Sequence, residues 1–271
     1  MNFDISQGHQ LMMPQPIEGI LVDIAGVLYA GRDPIPGAAD ALCRLEASGL
    51  AIRYLTNTTR STRKRLMAKL HGMGFDVDTS SLFTAPIATL KYVQHHRLRP
   101  FLLVHPDLEE EFAEVDCEQP NAVVVGDAGD AFNYRTLNEA FRILMDGGVL
   151  ISMGSNRFFR EPDGLSLDMG PFVEALRFAS GVEPTVIGKP SAHFFQQALE
   201  DMRLSASRAV MIGDDLENDI GGAQACDIRG ILVRTGKYRP VDETDEAIRP
   251  HLIVNNVTGA VDEILKTTHE R

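Results

Sequence analysis

The chain has no tryptophan, only three cysteines, few aromatics and a shortage of positive charge across its 271 residues. Each shortage excludes something. Cys43, Cys117 and Cys226 are odd in number, widely spaced and outside any CxxC pattern, so they specify neither a disulfide framework nor a zinc site. A reducing cytoplasm is the expected compartment. With 26 Lys and Arg against 38 Asp and Glu, the net charge is −12. That balance argues against nucleic acid or an anionic membrane as partner, since both need a clustered positive field. No apolar run reaches the roughly eighteen residues of a membrane span. Residues 1–16 lack the basic start and apolar stretch of a signal peptide and read as a loose tail. The histidines, including the pair His95-His96, form no HExxH or comparable ligand pattern.

What the chain does have is 44% apolar content, enough for a large core with a second domain inserted into it. Short apolar strands alternate with helical patterns. Gly19 to Ile24, a helix from Gly37 to Ser48, Leu50 to Leu55 and a helix starting near Ser61 open the series. The same grammar returns with Thr185 to Ile187, a helix from Ser191 to Met202, Ala209 to Ile212, a helix from Asp219 and Ile231 to Val233. This is the pattern of a doubly wound parallel α/β sheet interrupted in sequence. Between the halves lies a second set: Phe101 to Val104, Ala122 to Val125, a helix near Tyr134 to Met145, Val149 to Ser152 and a helix near Pro171 to Ser180. The expected organisation is a core of residues 17–88 and 185–271, with an inserted α/β cap at 89–184. The acidic run Leu108 to Glu114 reads as a solvated helix face.

Four strand-end segments carry the candidate chemistry, because ligands of open parallel sheets bind beyond the carboxyl ends of the strands. Asp23, in Asp23-Ile24-Ala25-Gly26, is a candidate nucleophile delivered into a glycine turn, although Asp also caps such turns. Thr56-Asn57 follows the second strand and can offer a hydroxyl and backbone N–H groups to an anion, or Thr56, Asn57, Thr58 or Ser61 can cap the next helix. Lys189, in Gly188-Lys189-Pro190-Ser191, can neutralise phosphoryl oxygens and hold a neighbouring carboxylate ionised. Gly213-Asp214-Asp215-Leu216-Glu217-Asn218-Asp219 crowds acids that repel one another without a cation. Mg²⁺ takes oxygen ligands from one or two carboxylates, waters and a substrate phosphate, which suits Asp23 and Asp214; Asp219 and Asp215 would orient the waters.

In this order the four segments resemble the motifs of the haloacid dehalogenase (HAD) superfamily, and the long insertion resembles the C2-type cap of its subfamily IIA. Phe132-Asn133-Tyr134, Leu167-Asp168 and Gly170-Pro171-Phe172-Val173 fit that branch. The resemblance implies a Rossmann-like core, Mg²⁺ and an aspartyl-phosphate intermediate at Asp23. It further implies metal ligation by Asp23, Asp214, Asp219 and the Ala25 carbonyl, with Thr56, Asn57, Ala25 and Lys189 around the substrate. The cap would select the substrate, with Arg157 as its candidate side chain, whereas Arg60 and Lys64 read as solvated. A homodimer is compatible with the branch.

One position departs from the family. The superfamily carries a second Asp two residues after the nucleophile, which protonates the leaving group and then activates water; here it is Ala25. Such acid–base help is typically worth about 10² to 10⁴ in rate. The expected substrates therefore need little leaving-group protonation: phosphoramidates such as phospholysine or phosphohistidine, and pyrophosphate. Sugar or nucleotide phosphates, or phosphoryl binding without turnover, are the alternatives.

Overall fold

The computed structural model describes residues 16–161 and 164–269. All but the last residue of the expected tail, and Asp163 of the cap, lie outside the described residues. Two compact units are present: one runs to Ile52 and resumes at Met202, and the other is Arg53–Asp201.

In the first unit, four parallel strands lie in the order Leu252–Val254, Arg229–Val233, Ala209–Gly213, Gly19–Asp23. Every residue of the three longer strands is buried, which is why they read as continuous apolar runs and not as alternating ones. The register sets Val22 beside Ile212, so Asp23 and Gly213-Asp214 emerge at the same carboxyl edge. Helix Ala38–Ala47 buries Ala38, Ala41, Leu42 and Leu45, an i, i+3, i+4, i+7 stripe.

The second unit contains the parallel order Thr185–Val186, Val149–Ser152, Ala122–Val125, Pro100–Leu103. Helices Tyr134–Met145 and Gly170–Ser180 connect its strands. The first is started by Asn133, whose side chain accepts from the N–H groups of Arg135 and Thr136. An antiparallel ribbon, Phe158–Glu161 with Gly164–Leu167, stands apart from that sheet. The same unit pairs Tyr54, Leu55 and Thr56 of strand Ala51–Thr56 with Leu82–Thr84.

Three local expectations are corrected. Thr185–Val186 was expected to resume the first sheet, but it pairs with Ile151 and Ser152 in the four-stranded sheet. After helix Gly170–Ser180, a short connection returns the chain beside Val149–Ser152, the strand of that sheet that precedes the ribbon. The helix expected from Asp219 begins earlier, as a widened turn over Leu216–Gly221, because the Asp215 carboxylate accepts the Asn218 N–H and caps it. Thr62, not Thr56, Asn57, Thr58 or Ser61, caps helix Arg63–Gly72, accepting the Arg65 N–H at 3.3 Å. None of the helices is long and apolar enough to cross a membrane among the described residues.

Candidate active site

Asp23, Asp214 and Asp219 converge in the first unit. All three are buried, and one carboxylate oxygen from each lies within 4.8 Å of the others. Backbone fit makes this crowding feasible. Gly26 takes φ +95°, and a Cβ built there would stand 2.0 Å from Asp214 Oδ2. Gly236, at φ +62°, is as close, since a Cβ there would also stand 2.0 Å from that oxygen. The Lys237 N–H donates to Asp214 Oδ2 at 2.7 Å, and Asp219 Oδ2 accepts the N–H groups of Asp214 and Asp215, each at 3.2 Å. Three buried carboxylates at this separation repel strongly unless a cation joins them. Their hard oxygen donors, without nitrogen or sulfur, fit Mg²⁺.

Asp215 does not enter the triad. It accepts the Asn218 side-chain amide at 2.8 Å and the Lys237 ammonium at 2.9 Å. Burial alone would raise its carboxyl, but the Asn218 hydrogen bonds and Lys237 outweigh burial and hold it below the ordinary carboxylate range. Burial likewise opposes the charge on Lys237, but the Asp215 hydrogen bond and the charges of Asp215, Asp214 and Asp219 prevail, so its pKa is raised. A permanent ammonium therefore stands beside the acids. Sequence reasoning missed this loop: Thr235 donates to the Gly26 carbonyl, Gly236 packs on Asp214, and Lys237 binds two acids. The available signal was a Thr-Gly-Lys turn just past the end of strand Arg229–Val233, the same strand-end grammar as the other segments.

The second unit joins Asn57 to Lys189. Asn57 Nδ2 donates to the Lys189 carbonyl at 2.8 Å, and the Lys189 N–H donates back to Asn57 Oδ1 at 2.9 Å. Asn57 thus holds the lysine backbone by a two-point clamp. A Cβ at Gly188 would meet the Met153 carbonyl at 2.3 Å, so the segment before Lys189 leaves no room for a side chain. Lys189 is 5% exposed, where a cation requires anionic partners. Thr56, also buried, accepts the Thr58 N–H at 3.2 Å. Ala25 is exposed between buried neighbours. Arg157 is exposed just before the ribbon, and its carbonyl accepts the Asp168 N–H at 3.3 Å. Lys64 is exposed as expected, but Arg60 pairs with buried Asp127 and stacks on Phe159. The acidic run is also less solvated than expected, since Glu111 accepts the Arg63 N–H at 2.7 Å.

Comparison with known proteins agrees with these observations. A haloacid dehalogenase-like hydrolase family model matches residues 20–118, and a related HAD-hydrolase-like model matches residues 186–260. The chain is 47% identical over 255 residues to a phospholysine phosphohistidine inorganic pyrophosphate phosphatase of Danio rerio, covering 92% of this chain and 94% of that protein. It is 41% identical to a haloacid dehalogenase-like hydrolase domain-containing protein 2 of Bos taurus, covering 92% and 96%. A solved 4-nitrophenylphosphatase of Thermotoga maritima superposes with a TM-score of 0.83 at 26% identity, covering 94% of this chain and 99% of that one. With the carboxylate triad and the motif order, these likenesses place the chain in the haloacid dehalogenase-like hydrolase family.

Proposed function

We propose that this protein is a Mg²⁺-dependent phosphatase that works through an aspartyl-phosphate at Asp23. The observation that carries the reading is the convergence of Asp23 with two further buried carboxylates, Asp214 and Asp219, at the carboxyl edge of a parallel sheet. In the proposed reaction an Asp23 oxygen forms a bond to phosphorus, and the leaving group departs with the electron pair of the bond that breaks. Water then opens the aspartyl-phosphate and phosphate leaves, so one difficult displacement becomes two easier ones. Asp23, Asp214, Asp219 and the Ala25 carbonyl would hold the metal, which when bound supplies positive charge to the phosphoryl oxygens. By the motif order, Lys189, whose backbone Asn57 holds, would supply a further fixed charge, and the Thr56 hydroxyl and the backbone around Asn57 would bind the remaining oxygens.

Ala25 sets the substrate class. With a methyl group at that position no carboxylate protonates the leaving group, so phosphoramidates of the phospholysine or phosphohistidine type and pyrophosphate are favoured over alkyl phosphates. The similarity to the Danio rerio phospholysine phosphohistidine inorganic pyrophosphate phosphatase supports this choice. A cytoplasmic setting suits three free thiols, and a small phosphorylated compound or phosphorylated side chain is the proposed partner. Residues 89–184 would act as the cap that selects it, with Arg157 as a contact and a homodimer as the proposed assembly. The same Ala25 supports a second reading, a phosphoryl-binding module without turnover.

The test is phosphate release with Mg²⁺ from imidodiphosphate, pyrophosphate, p-nitrophenyl phosphate and an alkyl phosphate. Imidodiphosphate and pyrophosphate are expected to exceed the alkyl phosphate by at least about a hundredfold in kcat/KM. Equal turnover of the alkyl phosphate overturns the role given to Ala25. Mg²⁺-dependent phosphate binding with no release from any of the four favours the binding module.

A further inference from the structure

Arg60 lies in the loop between Asn57 and the helix cap Thr62, and its guanidinium reaches two groups on different elements. Its Nε donates to Asp127, a 5% exposed carboxylate just beyond the carboxyl end of strand Ala122–Val125. The other Asp127 oxygen accepts the Gly129 N–H at 3.2 Å, so the carboxylate is held by its own loop as well as by Arg60. The Arg60 guanidinium carbon also stands 4.4 Å from the centroid of the Phe159 ring. Arginine suits this double task because its planar group pairs with a carboxylate while stacking on an aromatic face.

Phe159 belongs to the ribbon Phe158–Glu161 and Gly164–Leu167. Side chains alternate between the two faces of a ribbon. Phe159 and its cross-strand partner Ser166 are half-buried, whereas Phe158, Leu165 and Leu167 on the opposite face are 55%, 60% and 63% exposed. An isolated two-stranded ribbon is only marginally stable, so contacts from outside must place it. Arg60 touches its inner face. At its base the Asp168 N–H donates to the Arg157 carbonyl at 3.3 Å. Arg157 thus stands where the ribbon begins.

We infer that Arg60 is a positioning residue: it anchors the ribbon, and with it Arg157, to the loop bearing Thr56 and Asn57, and so sets affinity for substrates with an extended leaving group. The inference rests on the proposed phosphatase reading for its kinetic consequence, while the anchoring itself does not. Nearby Arg63 and Arg65 pair with Glu111 and Asp107, which belong to a different segment.

Arg60→Ala, Arg60→Lys, Asp127→Asn and the control Arg65→Ala would be compared with the wild type. The readouts are KM and kcat for a phosphohistidine peptide and for pyrophosphate, and amide hydrogen exchange over the ribbon. Arg60→Ala is expected to raise KM for the peptide about tenfold, leaving kcat and the pyrophosphate KM within about twofold. Its ribbon amides should exchange faster. Arg60→Lys should recover part of the loss, and Arg65→Ala should change nothing. Asp127→Asn should shift the peptide KM and the ribbon exchange in the same direction but by less, because it loosens Arg60 and leaves the Phe159 contact, and the double variant should be no worse than Arg60→Ala. An unchanged peptide KM, an equal rise for pyrophosphate, or unchanged ribbon exchange overturns the inference. If the wild type shows no Asp23-dependent release, the phosphatase reading fails instead, and ribbon exchange alone decides whether Arg60 anchors the ribbon.

Discussion

Asp23→Asn is expected to lower phosphate release by at least about a thousandfold, while the folded protein becomes more stable in the absence of metal. The substitution keeps shape and volume but removes a nucleophilic oxygen and one negative charge. Asp23, Asp214 and Asp219 are buried with oxygens within 4.8 Å of one another, so each charge destabilises the other two when no cation is bound. Neutralising one relieves that repulsion. Mg²⁺ stabilises the native state by mass action, in proportion to how tightly it binds, and a site with one charge fewer binds it less tightly. The thermal midpoint of Asp23→Asn should therefore rise without Mg²⁺, and its gain on adding Mg²⁺ should shrink. Melting curves with and without the metal, alongside phosphate release, check both parts. Retained turnover contradicts the nucleophile, and a large fall in midpoint would mean that Asp23 serves chiefly to hold its turn.

Ala25→Asp is expected to act in the opposite direction on alkyl phosphates, raising their kcat/KM by up to about 10² to 10⁴. A carboxylate two residues after the nucleophile restores the acid that protonates a poor leaving group and the base that activates water. Its effect should shrink as leaving groups improve, so pyrophosphate should gain far less. Space favours the experiment, because Ala25 is exposed although Asp23, Ile24 and Gly26 around it are buried. Ala25→Ser, which adds a hydroxyl without a carboxylate, should fall near the parent. A panel of phosphate esters graded by leaving-group acidity measures the result. If the gain is the same for every ester, or absent, Ala25 does not set the substrate class.

How much of this was legible depended on how local each signal was. Asp23 and Asp214 could be found because buried parallel strands are continuous apolar runs, and each run ends in a short turn bearing its acid. Helix Tyr134–Met145 could be read because its start is written in Asn133 and Thr136, within one turn. Features that depend on distant partners were not legible. Thr185–Val186 has the composition of a strand for either sheet, and only its pairing with Ile151 and Ser152 decides between them. Asp219 reads as a helix start until Asp215 is seen to cap the turn before it. Lys237 lies more than twenty residues beyond the acids it contacts, and Arg60 looks like any loop arginine without Asp127 and Phe159. The ribbon escaped because Phe158–Glu161 ends in two charged residues and Gly164–Leu167 alternates half-buried with exposed positions, so neither reads as a continuous apolar run.

The most direct measurement is the intact mass of the protein, acid-quenched during turnover of imidodiphosphate or pyrophosphate with Mg²⁺. The expected result is a species heavier by one phosphoryl group, carried by Asp23 and absent from Asp23→Asn. It should persist into the steady state, because no carboxylate at position 25 hastens its hydrolysis. Steady turnover with no phosphorylated species at any quench time, or with the group on another residue, would contradict the proposed chemistry.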